Sequence, residues 1–208
     1  MIRKAFEQKI NEISEMIDKY PFEDAKACHR YFSQQYYIIQ NATRYEAIGA
    51  SLLPLDYKDE FRHRILHLTG EFNHDDLIIA DLKELGFDHL DKMIPATRAL
   101  VSCIYFELQS KGADALFGIS LLLEGLSTRQ CDKVAKRMQK TFDFYPKYLE
   151  IHHEADAEHY PETMKLVESY TSERQQVILS NLELSAFLYK SILRECSNST
   201  FIENHPAA

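Results

Sequence analysis

Two octapeptides constrain this chain more than any other feature, because each combines histidine and acid in the same order. They are HLTGEFNH, from His67 to His74, and HHEADAEH, from His152 to His159. In each, an acid stands four residues after the first histidine, and a second histidine follows three residues later. On an α-helix, which turns about 100° per residue, such positions occupy a stripe roughly 60° wide. The pattern therefore predicts two helices that each direct imidazole and carboxylate groups to one side.

The rest of the chain predicts an all-α fold. Glycine and proline number only six each in 208 residues, and apolar residues between them recur at spacings of three and four. A chain of this length buries the core of one domain rather than two. We therefore predict a single domain over residues 1–208, with about seven to eight helices, in which residues 197–208 form a loosely held tail.

Prolines, glycines and capping residues mark the predicted helix ends. The first helix runs from Ile2 to about Lys19 and stops before Pro21. The other predicted helices are the stretches from the cap Asp24 to about Leu53, from Tyr57 to Leu85, from Pro95 to Gly112, ADALFGISLLLEGL, from Ser127 to Phe142, from Pro146 through the second octapeptide, and from Glu162 to Cys196.

Packing the two octapeptide helices face to face would concentrate charged groups in the protein interior. Buried ions without partners cost several kcal/mol or change to their neutral forms. Glu124 poses the same problem, since it lies within the apolar run FGISLLLEGL. Its carboxylate requires a metal, a Lys or Arg partner, or a raised pKa, unless it reaches solvent past Gly125. A divalent metal would satisfy all three segments together.

The acids and histidines also match a known arrangement in helical bundles. In dinuclear carboxylate sites, two helices each supply a glutamate and two others supply an acid and a histidine one turn apart. Carboxylates bridge two cations and neutralise them, while imidazoles suit Fe, Mn or Zn and leave positions open for dioxygen or water. The matching residues here are Glu71 with His74, Asp156 with His159, and the solitary Glu46 and Glu124.

Chance remains an alternative for each octapeptide alone, because solvated helix faces often carry histidine and acid at these spacings. We interpret His63, His89 and His153 as histidines of that kind. Composition excludes other classes of function: 32 acids against 24 Lys and Arg give a net charge of −8, which argues against a nucleic-acid surface. The lack of a signal-peptide core and of an apolar run of about 20 residues predicts a cytoplasmic protein without membrane contact.

Cysteine use agrees with a reducing compartment. The four cysteines are scattered without a CxxC pair, so we predict free thiols rather than disulfides. They are Cys28, Cys103, Cys131 and Cys196.

On these residues the chain resembles the heme-oxygenase-like diiron oxidases and oxygenases, a family with CADD-like and UndA-type branches. HHEADAEH is similar to the family's ligand helix, His-x3-Asp-x2-His, and Glu124 in LLLEGL sits where the family places a bridging glutamate. EFNHDDLIIADLKELG is similar to the other ligand helix, and RYFSQQYYIIQ to the aromatic first core helix. The resemblance covers the chain from Tyr31 to His159.

The resemblance implies a heme-oxygenase-like (TenA/PqqC/CADD-like) bundle that binds two Fe(2+) ions per chain, with Mn possible. It implies an enzyme that activates dioxygen to oxidise or cleave a small organic metabolite, similar to an amino acid or a fatty acid. A homodimer is the expected assembly, since related folds pair through helices. The implied metal ligands are Glu71, His74, Glu124, His152, Asp156 and His159.

The branches of the family differ at the first ligand helix. CADD-like members place the acid seven residues before the histidine, at the position of His67, whereas UndA-type members place it three before, at Glu71. Glu71 is therefore the expected ligand. Leu123 stands where the CADD-like branch has a tyrosine, which disfavours self-sacrificing synthesis of para-aminobenzoate. Glu46 is either a seventh, mobile ligand or the partner of Arg44 or another cation.

Three alternatives make different structural predictions. A ferritin-like iron-handling protein requires a four-helix bundle, and a metal-free TenA/PqqC-like protein requires a catalytic cysteine or a substrate-binding histidine set. An interaction module would leave the octapeptides facing solvent. Candidate groups for a substrate carboxylate are Arg44, Arg98 and Lys147, and candidate pocket walls, which also fit as packing aromatics, are Tyr36, Tyr37, Tyr45 and Phe117.

Overall fold

The computed structural model describes residues 1–197, which form helices joined by short loops. No strand occurs among them, so the all-α prediction is confirmed. Nine α-helices and a 3₁₀ turn at Ala113–Ala115 occur, against the about seven to eight helices expected. The α-helices are α1 (Ile2–Lys19), α2 (Ala25–Ile39), α3 (Ala42–Ser51), α4 (Lys58–Gly70), α5 (His74–Glu84), α6 (Pro95–Lys111), α7 (Leu116–Phe142), α8 (Lys147–Glu168) and α9 (Ser172–Ser197). The predicted tail lies outside the described residues except for Ser197.

The hydrophobic core gathers around α7, which packs against α1, α3, α6, α8 and α9. In α1, the apolar residues Phe6, Ile10, Ile13 and Ile17 recur three or four residues apart and are all buried. Burying a side chain of this kind stabilises the fold by roughly 1.5–3 kcal/mol. A Cβ atom at Gly125 of α7 would overlap Ile10 Cδ1, so the glycine permits the close approach of α1 and α7.

The prediction of one long helix from Asp24 to Leu53 is wrong, because this segment forms two helices, α2 and α3. Asn41 explains the division. Its side-chain amide donates to the Tyr37 carbonyl at 2.9 Å, and its oxygen accepts from the Tyr105 hydroxyl at 2.8 Å. Asparagine side chains compete in this way with the backbone for hydrogen bonds. The contact with α6 is a tertiary interaction that helical periodicity does not encode.

The two helices expected from Ala113 to Phe142 are the single helix α7, preceded by the 3₁₀ turn. Gly125 does not end the helix, because its backbone stays helical and the Thr128 hydroxyl donates to its carbonyl at 3.0 Å. The predicted start of a new helix at Ser127 is therefore wrong, because the preceding glycine is required for helix packing and does not end the helix.

The predicted helix boundary at Pro161 is also wrong, since α8 continues through it to Glu168. Proline removes the hydrogen bond to the carbonyl four residues earlier, that of Ala157. Both residues are exposed, so water can bond to the freed carbonyl. The chain turns instead before α9, where Thr171 Oγ1 accepts from the Arg174 amide at 3.5 Å.

This packing brings the octapeptides to opposite walls of one interior space. α5, which begins at the end of the first octapeptide, packs against α8, which carries the second. α3 packs against α4, and α7 lies beside α8. Within the described part of the chain, no helix combines the length and apolar character needed to cross a membrane.

Candidate metal centre

The structure brings side chains of the two octapeptides into two adjacent groups. Ligand atoms of His67, Glu71 and His159 lie within 4.8 Å of one another, and so do those of Glu71, His74 and His152. Glu71 belongs to both groups. A carboxylate suits that position because it has two oxygens that accept independently. The result is a pair of nitrogen and oxygen donor groups joined by one acid.

The first octapeptide reaches this centre through a break in its helix. The pattern predicts one helix from Tyr57 to Leu85, whereas α4 ends at Gly70 and α5 begins at His74. Between them Asn73 has a φ angle of 64°, in the left-handed region that asparagine enters more readily than most residues. The turn allows His74 Nδ1 to donate to Glu71 Oε2 at 3.2 Å. His74 Nε2 is therefore left as the atom with a free electron pair.

The second octapeptide lies on the unbroken helix α8, as predicted. His152 and Asp156 are buried, and His159 at the end of the stripe is partly exposed. His152 Nδ1 donates to the Tyr148 carbonyl at 2.9 Å, while its Nε2 lies 3.8 Å from Glu71 Oε2. His159 Nδ1 lies 3.5 Å from Asp156 Oδ1. The carbonyl bond fixes the tautomer of His152, as carbonyl partners commonly do for metal-binding histidines.

Glu124 projects from α7 into the same cluster and is only 5% exposed. Its Oε1 lies 3.4 Å from His67 Nε2. Of the possibilities that the sequence left open, contact with solvent past Gly125 does not occur, and within residues 1–197 no Lys or Arg forms an ion pair with this carboxylate. Burial raises the pKa of Glu124 to about 7. This carboxyl group is thus held in the interior next to an imidazole.

Two residues whose roles the sequence left open also join the cluster. His67 Nδ1 lies 3.4 Å from Glu46 Oε1, while its Nε2 faces Glu124. Glu46 accepts from Arg64 Nη1 at 3.4 Å, whereas Arg44 is exposed. Arg64 is 1% exposed, and sequence reasoning missed it because a single arginine in α4 fits a solvated face equally well. The sequence did contain an indication that His67 belongs to the centre, because His67 is the first residue of the first octapeptide.

The pKa values within the cluster depend on one another. Burial alone would raise the pKa of Glu71, but the imidazole of His152 outweighs it and holds that pKa well below its usual range. Burial lowers the pKa of His67 and of His152, but the neighbouring carboxylates outweigh it and raise both. Asp156 raises the pKa of His159. In the absence of a cation, protons on the imidazoles therefore balance the carboxylates.

The chemistry of these donors fits a metal. Four atoms of the cluster are buried without a hydrogen-bond partner in residues 1–197, and they are His67 Nε2, Glu124 Oε2, His152 Nε2 and His159 Nδ1. Nearly all buried polar atoms in proteins have a partner. Imidazole nitrogens with carboxylate oxygens suit Fe, Mn and Zn. Divalent cations would give these four atoms their missing partners.

A cavity of about 110 Å³ adjoins the cluster and is lined mainly by apolar side chains. Tyr45 lines it, whereas Tyr36 and Tyr37 do not, and Phe117 borders a smaller pocket beside Arg64. In the part of the chain that the structure describes, no Lys or Arg lines this cavity. All three cations considered for a substrate carboxylate are exposed and outside it, namely Arg44, Arg98 and Lys147.

His63, His89 and His153, which the sequence analysis interpreted as histidines of solvated helix faces, lie outside the two donor groups. His89 is exposed, and His63 and His153 are partly exposed. The four cysteines are free thiols, which confirms the prediction made from their spacing.

Comparison with known proteins agrees with the chemistry of this centre. Residues 29–189 match the family model described as iron-containing redox enzyme. This chain belongs to the iron-containing redox enzyme family. The matched part of this family member includes every residue of the centre, from Glu46 to His159. A search of curated protein sequences gave no significant match.

Solved structures show the fold of this family member. A domain of unknown function with a heme oxygenase-like fold from Shewanella denitrificans is 21% identical, with a TM-score of 0.79 over 97% of this chain and 94% of that one. A TenA homologue from Pseudomonas syringae pv. tomato is 14% identical, with a TM-score of 0.70 over 94% and 92%. A TenA homologue from Pyrococcus furiosus is 16% identical, with a TM-score of 0.53 over 95% and 100%. The heme-oxygenase-like fold is therefore confirmed.

Proposed function

We propose that this member of the iron-containing redox enzyme family is a non-heme diiron oxidase or oxygenase, related to the CADD-like and UndA-type enzymes. It would use dioxygen to oxidise or cleave a small organic metabolite. The observation that carries the proposal is the pair of donor groups joined by Glu71 in the protein interior. The proposed ligands of two Fe(II) ions, or of Mn(II), are Glu71, His74, Glu124, His152, Asp156 and His159.

When bound, the two ions would supply electrons and open coordination positions for the reaction with dioxygen. The chain's own residues prepare the site. The Tyr148 carbonyl orients His152 so that its Nε2 faces the centre. His67 Nε2 and Glu124 Oε1, 3.4 Å apart, can hold one proton between them when the carboxylate is not bound to metal. The apolar cavity excludes water from the reacting atoms, which limits side reactions.

A metal-free TenA-like function is the second candidate, because two of the solved structures are TenA homologues and Cys131 lines the cavity. Catalysis by cysteine requires a thiolate with a lowered pKa. Burial instead raises the pKa of Cys131 to about 12. The thiol is therefore protonated near neutral pH, which favours the diiron proposal.

The other two alternatives fit the structure less well. A ferritin-like protein requires a four-helix bundle, whereas residues 1–197 form a heme-oxygenase-like fold of nine α-helices. An interaction module would expose the octapeptides, whereas His152 and Asp156 are buried. Both predictions differ from the observed arrangement.

Anaerobic titration of the metal-free full chain with Fe(II) tests the proposal. Binding should saturate near about two equivalents, as in other two-metal sites, and admission of dioxygen should produce a transient visible absorption. The double variant His152→Ala, His159→Ala removes one imidazole from each donor group and should abolish tight binding. His89→Ala, at an exposed histidine outside the cluster, should bind as the wild type does.

Negligible binding of Fe(II) and Mn(II) by the wild type would refute the diiron proposal. If iodoacetamide then modified Cys131 rapidly at neutral pH, the metal-free candidate would replace it. A Cys131→Ser variant is the control for that reaction.

A further inference from the structure

The cavity continues beyond the metal centre along α7. After Glu124, the lining residues on this helix are Leu126, Ser127, Gln130, Cys131 and Val134. Since an α-helix rises about 1.5 Å per residue, Ser127 and Gln130 lie roughly 5 and 9 Å further along the axis than Glu124. Gln35 of α2 lines the same cavity. A molecule bound at the metal centre would thus extend toward these side chains.

Three polar atoms in this stretch are buried without a hydrogen-bond partner from residues 1–197. They are Gln35 Nε2, Ser127 Oγ and Gln130 Oε1. Their residues are 3%, 7% and 3% exposed. Because buried polar atoms are rarely unpaired, three of them around one cavity indicate a missing partner. Tyr189 neighbours Gln35 and Cys131 neighbours Ser127, but within residues 1–197 neither contact has the geometry of a hydrogen bond. The Tyr31 and Tyr189 hydroxyls bond to each other at 2.9 Å.

The orientation of one amide is fixed by its neighbour. Gln130 Nε2 donates to the Ser14 carbonyl at 3.5 Å, which leaves Gln130 Oε1 as an acceptor. Gln35 Nε2 is a donor and Ser127 Oγ can serve as either. The missing partner must therefore both donate and accept hydrogen bonds.

The charged residues that line the cavity limit what the missing hydrogen-bond partner can be. The ionisable acids and histidines that line the cavity all belong to the metal centre, and they are Glu46, His67, Glu71, Glu124, His152 and Asp156. Neither a Lys nor an Arg occurs in the lining contributed by the described residues. A carboxylate or ammonium group beside Gln130 would be buried without a counter-charge, at a cost of several kcal/mol. An uncharged group is therefore required there.

We propose that Gln35, Ser127 and Gln130 form a subsite for a carboxamide at the end of an apolar chain whose other end reaches the metal centre. The carboxamide oxygen would accept from Gln35 Nε2, and its N–H would donate to Gln130 Oε1. Apolar neighbours such as Ile38 and Leu149 would contact the chain between the two ends. That this molecule is the substrate rests on the proposed diiron function, whereas the subsite itself does not.

A pair of isosteric probes tests the subsite on the metal-free full chain, so that the result does not depend on iron. Hexanamide and 2-heptanone have the same shape, but only hexanamide has N–H donors. Calorimetry should show hexanamide binding about tenfold more tightly, as expected for one added hydrogen bond to a buried acceptor. Gln130→Leu should abolish this preference, and Gln35→Leu should weaken both probes about tenfold because each has a carbonyl.

The matched control is Gln139→Leu, the same change at an exposed position of α7 outside the cavity, which should bind both probes as the wild type does. Thermal melting verifies that each variant is folded. If Gln35→Leu does not fold, the preference of the wild-type protein for hexanamide over 2-heptanone tests the proposal by itself. Equal binding of the two probes, or a preference that survives Gln130→Leu, would overturn the proposal. Failure of both probes to bind would also overturn it, because the three atoms would then be bonded to water only. Failure of the Fe(II) titration would refute the diiron function and leave this result unaffected.

Discussion

Metal binding at this centre should strengthen steeply as the pH rises from about 6 to about 8. The pKa values of the proposed ligands His152 and His159 are both raised above the ordinary value of 6.5 for the side chain. At about pH 6 each imidazole therefore carries a proton that must leave before its nitrogen can bind a metal. The metal-free protein binds these protons and the loaded protein does not. Lower pH thus favours the metal-free protein, and higher pH favours the loaded protein.

The size of the effect follows from the number of protons displaced. Each proton released on binding changes the apparent affinity up to about tenfold per pH unit. With two such imidazoles, the overall constant for loading both ions should change up to about a hundredfold per pH unit below their pKa values. Glu124, whose pKa is about 7, adds a further proton at the acidic end. The dependence should level off once the imidazoles are neutral.

Calorimetric titration with Mn(II) in buffers of different ionisation enthalpy measures both the affinity and the protons released. We expect roughly two to three protons per chain at about pH 6 and fewer at about pH 8. The variant His89→Gln, which lacks an exposed histidine outside the centre, should release the same number. Metal binding without proton release at about pH 6, and with constant affinity up to about pH 8, would show that these imidazoles are not ligands.

Two further predictions concern the shared acid and the helix packing that holds the centre. Glu71→Gln should weaken the binding of both ions, because Glu71 belongs to both donor groups, whereas His159→Gln should leave about one ion bound. A Glu71→Gln variant that still binds two ions tightly would contradict the shared role. Gly118→Ala would place a Cβ atom 2.6 Å from the Leu182 backbone nitrogen, and it should lower the free energy of unfolding in urea by about 1–3 kcal/mol or more. Gly70→Ala, with no atom within 4 Å of the added Cβ, is the control, and equal loss in both variants would refute the packing argument.

Helix content was predictable from the sequence because periodicity is a local property. The buried positions of α1 and the inward face of α8 both follow from residue spacing alone. The errors arose where tertiary contacts decide the backbone. Asn41 lies between α2 and α3 while bonded to Tyr105 of another helix, and Gly125 lies beside the predicted boundary because α1 packs too closely there for a side chain. No pattern within one helix reports such contacts.

The sequence likewise predicted only part of the candidate centre. Of the six predicted ligands, Glu71, His74, His152 and His159 lie in the two donor groups, whereas Glu124 and Asp156 contact these groups through His67 and His159. Residue spacing could not decide the role of His67. That histidine lies between carboxylates that arrive from other helices, Glu46 of α3 at its Nδ1 and Glu124 of α7 at its Nε2. Gln35 and Gln130 were missed altogether, since a lone buried glutamine has the same sequence appearance as a solvated one.

The octapeptides explain why this centre has two donor groups rather than one. His67, which opens the first octapeptide, lies edge-to-face with His159, which closes the second, with ring centroids 5.4 Å apart. At the other end, His74 meets His152 at 4.6 Å. The two segments therefore run in opposite directions, and a spacing of seven residues, about 10.5 Å along an ideal helix, places one histidine pair at each end.

The acid between the histidines completes this arrangement. On the unbroken helix α8, Asp156 stays next to His159, 3.5 Å away. In the first octapeptide, the turn at Asn73 ends the helix, and Glu71 lies within reach of both histidine pairs. Histidines three or four residues apart on each segment would instead meet at a single point and form one donor group. The seven-residue spacing and the helix break together produce two donor groups that share a carboxylate, the kind of arrangement expected of a dinuclear carboxylate centre.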